Sequence, residues 1–220
     1  MAISVPYNPT EFVAASVESV QHTLVEAVIL VIIVVMVFLQ TWRAAIIPIV
    51  AIPVALVGTF AVQLALGYSI NLLTLLAMVL AIGLVVDDAI VVVENVERNM
   101  ADGLSAGEAA HKTMDEVGGA VVAIALVLSA VFIPTAFIPG ISGQFYKQFA
   151  LTIAASTLIS AFNSLTLSPA LCKLLLKPHH EHKKPTFFLA RFAAWAADRF
   201  NRGFDALSRG YGRVISWLTG

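Results

Sequence analysis

The 220-residue sequence has little of two things that soluble domains use, cysteine and charge: one thiol, Cys172, and 12% Asp, Glu, Lys and Arg. One cysteine cannot close an intrachain bridge, which excludes a disulfide-stapled scaffold. A charged fraction about half the soluble average of roughly 25% excludes an ordinary hydrated surface. With a net charge of only −1, the chain also lacks the high charge and low hydrophobicity of a disordered segment. No basic face marks a nucleic-acid binder, because the only basic excess lies in the last 48 residues, where nine Lys and Arg face three Asp and Glu. The first 23 residues contain no Lys or Arg, so the expected basic start of a secretory signal peptide is missing.

What is present is apolar. Hydrophobic residues make up 59% of the chain and mean hydropathy is +0.89, which points to an all-α membrane protein. Nearly charge-free runs recur at Leu24 to Leu39, Ala44 to Leu66, Ile70 to Val93, Val117 to Ile138 and Phe149 to Leu176, each near or above the roughly 20 residues that cross a bilayer. Before the first run, Asn8, Pro9, Thr10 and Glu11 supply a cap, a first-turn proline and an early acid, so the first helix is expected to start there and project from the membrane. The expected organisation is a short segment over 1–9, then five transmembrane helices within 10–176, at about 10–39, 44–66, 70–98, 117–138 and 149–176. Pro48, Pro53, Pro134 and Pro169 lie within apolar runs and predict kinks that neighbouring helices can tolerate.

After the fifth run, residues 177–185 form a polar linker with His179, His180 and His182. Residues 186–220 interleave Phe188, Phe192, Trp195, Phe200, Phe204 and Tyr211 with Arg191, Arg199, Arg202 and Arg209, the pattern of an amphipathic helix lying on a membrane surface. A core stripe facing soluble protein is the alternative reading. The histidines read as a solvated hinge, since no sulfur ligand or second shell accompanies them. Glu108 and His111 have the Glu-x-x-His spacing, but a di-metal site needs that motif from two helices. No metal or cofactor site is therefore expected.

Five alternating helices place Lys147 on one side and the other twelve Lys and Arg, from Arg43 to Arg213, on the opposite side. The positive-inside rule then puts the N-terminus outside and the C-terminus in the cytoplasm.

The chemistry is expected at Asp87 and Asp88, roughly 9 Å from the middle of the third run toward its cytoplasmic end. A carboxylate in hydrocarbon costs at least about 2.5 kcal/mol to insert, so intramembrane acids usually face a bundle interior and mark an ion or proton route. No Lys or Arg lies at comparable depth in the five runs; the partners must be protons, water or helices outside this sequence. Neighbours on a helix diverge by about 100°, which argues against both acids converging on one bond as in aspartyl proteolysis. Gly83, one turn before Asp87 on the same face, would admit close approach of another helix. Glu94 and Arg98 are spaced for an interfacial i,i+4 ion pair.

The stretch Gly83-Leu84-Val85-Val86-Asp87-Asp88-Ala89-Ile90-Val91-Val92-Val93-Glu94-Asn95-Val96-Glu97-Arg98 resembles the fourth transmembrane helix of resistance-nodulation-division (RND) efflux pumps. Phe38 to Gln40 with Trp42 and Arg43, Ser129 to Pro134, Tyr146 to Ile153 and Leu167 to Cys172 extend the resemblance from about Thr10 to Pro178. The paired acids resemble the hydrophobic and amphiphilic efflux branch, whereas the heavy-metal branch typically carries one aspartate followed by alanine. The resemblance implies transmembrane helices two to six of a twelve-helix inner-membrane protomer and proton-driven drug antiport without a cofactor. It also implies a homotrimer working with a periplasmic adaptor and an outer-membrane channel. Asp87 and Asp88 are then the proton relay and Gly83 a packing position beside it. Of the family's drug-binding periplasmic porter loops this sequence keeps at most the end of the first, residues 1–9, and the relay lysine of the family's second half is not among its residues. The chain is thus expected to be a non-enzymatic fragment embedded in membrane lipid beside the remaining half of the transporter. A nonpumping membrane scaffold, and an RND transporter for metal or lipid, are the alternatives.

The topology is tested by single-cysteine labelling in a Cys172→Ser background. Cysteines at positions 105 and 180 are expected to react only from the cytoplasm and one at position 8 only from outside. Reaction of positions 8 and 180 from the same side would overturn the five-crossing arrangement.

Overall fold

The computed structural model describes residues 9–177 together with Arg199, Arg213 and Ile215. The described residues fold into five helices: α1 Pro9–Leu39, α2 Trp42–Ala65, α3 Leu72–Ala101, α4 Ala106–Thr135 and α5 Ile141–Leu175. All five are long and apolar enough to span a membrane. The surface helix expected over 186–220, and the linker before it from Pro178 onward, lie outside the described residues apart from the three single positions just named.

The starts of α3 and α4 are fixed by capping boxes. Asn71 Oδ1 accepts from the backbone N–H groups of Leu73 and Thr74 at 2.9 and 3.0 Å, and Thr74 Oγ1 accepts from Asn71 N at 2.9 Å. Ser105 and Glu108 make the same reciprocal box ahead of α4. Each such cap contributes about 1 kcal/mol. The Ser105 cap explains why α4 begins at Ala106, well before the apolar run at Val117: its first three turns are polar helix. Likewise α5 starts at Ile141, after Gly140 with φ 92°, so that Lys147 belongs to the helix.

The connections are short, and consecutive helices pack against one another, as antiparallel neighbours joined by tight turns must. At the end of α2, Gly67 takes φ 72°, which lets Gly67 N reach Leu64 O at 3.0 Å and Tyr68 N reach Gln63 O at 2.9 Å. This Schellman closure satisfies carbonyls that hydrocarbon would otherwise leave bare. Pro48 and Pro53 lie inside α2 and Pro169 inside α5, neither of which they terminate.

Two helices form the centre: α3 packs on all four others, and α5 packs on α2, α3 and α4. Small side chains make this possible. Ala77, Ala81 and Ala89 of α3 and Ala150, Ala154 and Ala161 of α5 are buried, and a Cβ added at Gly58 of α2 would lie only 3.2 Å from Ile159. Without a hydrophobic force between helices in lipid, close backbone approach supplies the dispersion contacts. Outward-facing residues are large and apolar instead, among them Leu64, Phe137, Phe162 and Leu174, as a lipid-facing surface requires.

One end of the bundle is closed by a polar knot. Asn99, 1% exposed, donates from Nδ2 to Thr113 Oγ1 at 3.2 Å and to Glu116 Oε2 at 3.1 Å, joining α3 to α4. Arg98 Nη2 also reaches Glu116 Oε2, at 3.2 Å. Thus Arg98 pairs across helices and not along its own with Glu94, because the polar first turns of α4 run beside the end of α3. Thr41, between α1 and α2, donates to Glu97 Oε1 at 3.0 Å on the other side of α3. Asn99→Ala removes the buried donor shared by Thr113 and Glu116 and is expected to cost about 1–3 kcal/mol. A lower midpoint on thermal unfolding of the detergent-purified transporter checks this; an unchanged one would show that the knot carries no stability.

Candidate functional site

Asp87 and Asp88 sit at the midpoint of the 30-residue α3, where the helical turn sends them in different directions. Asp88 is half-buried and turns toward α5, where Ser160 Oγ donates to its Oδ2 at 2.8 Å and lies 3.3 Å from the Val85 carbonyl. Asp87 is exposed on the outside of the bundle. Among the described residues no Lys, Arg or His comes within ion-pair distance of either acid.

Gly83 lies on the exposed face with Asp87. A Cβ there would meet nothing within 4 Å, so none of the described helices makes the close approach expected at this position. The exposed stripe continues along α3 through Leu72, Leu76, Leu80, Gly83, Asp87, Val91, Glu94 and Arg98. Asp87 and Gly83 therefore belong to a surface that these five helices leave open, while Asp88 belongs to their interior.

A count of charges passes over the partner of Asp88. Ser160 is one of five hydroxyl residues at every fourth position of α5, Thr152, Ser156, Ser160, Ser164 and Ser168, all buried. That spacing places them on one face of the helix. The four-residue repeat of Ser and Thr along α5 was the signal that could have identified them, although Thr157, Asn163 and Thr166 in the same run lie off it. Gln63 of α2 is also buried and donates from Nε2 to Thr152 Oγ1 at 3.0 Å. Nearer the end of the bundle, Asn71 Nδ2 donates to Gln148 Oε1, joining the start of α3 to α5.

The weaker candidates have structural work. Glu108 accepts from Ser105 Oγ at 2.6 Å and Ser105 N at 3.1 Å as the α4 cap. Glu116, and not Glu94, is the acid that holds Arg98. Among the described residues no group of three or more His, Cys, Asp or Glu is arranged to hold a metal ion. His179, His180 and His182 lie outside those residues. Cys172 is fully buried in α5.

On α3, then, one acid accepts a hydrogen bond from a buried serine of α5 and the other faces out of the five described helices. The chain is 50% identical over 96% of its length to the solvent-resistant pump membrane transporter SrpB of Pseudomonas putida. It is 48% identical over 98% of its length to the multidrug export protein AcrF of Escherichia coli K12, and 53% identical over 85% to that organism's multidrug resistance protein MdtF. It spans about a fifth of the length of these proteins, 21%, 21% and 18% respectively. The profile of the AcrB/AcrD/AcrF family matches residues 1–219, and the chain belongs to that family of RND multidrug efflux transporters.

Proposed function

We propose that α1 to α5 form part of the transmembrane domain of a proton-driven multidrug efflux transporter, in which Asp87 and Asp88 carry the protons. The observation that supports this most directly is the split environment of the two acids. Asp88 is tied to α5 through Ser160 at 2.8 Å, and Asp87 faces outward from α3. A charge change on Asp88 alters its pull on α5, and a charge change on Asp87 alters how a helix of the remaining half sits against α3. Protonation thereby biases helix packing, which is what coupling to transport requires. One proton crossing about 100 mV supplies about 2.3 kcal/mol, enough to shift a two-state packing equilibrium about fiftyfold.

In this reading the N-terminal end of α1 is periplasmic, the Thr41 and Gly103 turns are cytoplasmic and the protein resides in the bacterial inner membrane. The assembly is a homotrimer with a periplasmic adaptor and an outer-membrane channel. Relatives described as multidrug and solvent transporters support hydrophobic and amphiphilic compounds as the substrate class over metal ions.

In the full-length transporter, Asp87→Asn and Asp88→Asn are each expected to reduce drug efflux to the level of a strain lacking the pump, while membrane insertion and trimer assembly persist. Asparagine preserves size and hydrogen bonding but cannot ionise. Wild-type resistance in either variant would show that the acid concerned is structural.

A further inference from the structure

From the polar groups buried between α2 and α5 we infer a proton access route from the outer side to Asp88, lined by Gln63, Thr59, Thr152 and Ser156 and ending at Ser160. The inference rests on the function proposed above and names the path by which its protons arrive.

These four side chains are buried, between 0% and 3% exposed, in a part of the bundle that has every reason to be apolar. A buried polar group costs free energy unless it is partnered. The α2–α5 seam nevertheless carries four of them, and Gln63 Oε1 has no hydrogen-bond partner among the described residues. Packing does not call for them, since the same seam is closed elsewhere by Gly58 against Ile159 and by alanines.

Their order along the helices is that of a path. The helices are antiparallel, so successive turns inward from the outer end bring Gln63 and Thr152, then Thr59 and Ser156, then Ser160 and Asp88. Gln63 Nε2 donates to Thr152 Oγ1 at 3.0 Å, which leaves the Thr152 proton free to be given inward. Hydroxyls one turn apart are separated by roughly 6 Å along the axis, a gap that one water molecule bridges with hydrogen bonds at both ends. The hydroxyls of Thr152, Ser156 and Ser160 and each bridging water accept a proton from the outer neighbour and release one to the inner neighbour. All return neutral, and the single net change is outer water losing a proton that the Asp88 carboxylate gains through Ser160. Thr59 donates its own proton to Ala55 O at 2.8 Å, so its oxygen serves as an acceptor that orients the water. The mouth lies beside Asn71 and Gln148, whose hydrogen bond joins α3 to α5.

No charged side chain would stop a proton on the way. The only Arg of α2 is Arg43 at its far end, and the charged residues of α4 all precede Val117, at the cytoplasmic end of the helix. On α5, Lys147 is exposed near the mouth and Lys173 lies at the opposite end. On α3, Glu94, Glu97 and Arg98 lie beyond Asp88, and Asp87 turns to the outer face. Asp88 is thus the first titratable group that the path meets.

The test uses the full-length transporter in proteoliposomes, with drug-dependent proton uptake measured as outer pH is varied. Thr152→Val and Ser156→Ala, singly and together, are expected to slow uptake severalfold, with drug binding unchanged. Where access limits the rate, each unit of lower outer pH restores about tenfold by mass action. Thr152→Ser, which keeps the hydroxyl, is expected to restore the wild-type rate, and Thr166→Val on the exposed face of α5 to leave it unchanged. Wild-type uptake in the double variant, or slow uptake that lower outer pH does not rescue, would overturn the path. If Thr152→Val fails to fold, Gln63→Leu and Ser156→Ala decide by the same two readouts. Wild-type transport in Asp88→Asn would instead remove the relay itself, which separates failure of the route from failure of the underlying function.

Discussion

Helical geometry forbids two adjacent carboxylates from sharing one environment, and the rest of the arrangement depends on that constraint. Successive residues diverge by about 100°, so a helix that turns Asp88 toward α5 must turn Asp87 away from it. Each acid in hydrocarbon needs something polar to face. Asp88 finds it in Ser160, which requires α5 to come close, and that in turn requires small residues on both helices. Asp87 finds nothing in this bundle, so the surface around it stays open. The packing of α3 follows from how its acids are served.

The site also depends on where α3 is held. Its N-terminal end is capped and tied to α5 through Asn71 and Gln148, and its C-terminal end is gripped on two sides, by Thr41 on Glu97 and by Glu116 on Arg98 and Asn99. Between these anchors, Ser160 of α5 donates to Asp88 and lies against the Val85 carbonyl. The middle of α3 is held by packing instead, through Met78, Ala81, Ile82, Val85, Val86 and Ala89, each no more than 4% exposed.

The five helices and the acids were legible in the sequence because both announce themselves by type: long apolar runs, and charge where charge is costly. The boundaries were less so. An apolar run marks the stretch that meets lipid, while the helix itself continues until a cap or glycine stops it, which is why α4 extends back to Ala106 through polar residues. Partners were the least visible. Nothing local distinguishes Glu94 from Glu116 as the mate of Arg98; only the crossing of α3 and α4 decides it. Ser160 was hidden for a related reason, since a hydroxyl counts as neutral in any tally of charge although it sets the surroundings of Asp88. The open face at Gly83 follows from how the described helices pack, a property that no residue in the chain encodes alone.

The exposed stripe on α3 carries a further geometric consequence. Leu72, Gly83 and Glu94 are spaced by eleven residues, as are Leu76, Asp87 and Arg98, with Leu80 and Val91 on the third track. Eleven residues in three turns is about 3.67 per turn, slightly more than the 3.6 of a straight helix, so the stripe winds around α3 with a right-handed drift. The drift is about 20° per eleven residues, less over the whole stripe than the stripe is wide, so a helix laid along it from Leu72 to Arg98 can follow its centre with only a slight right-handed tilt.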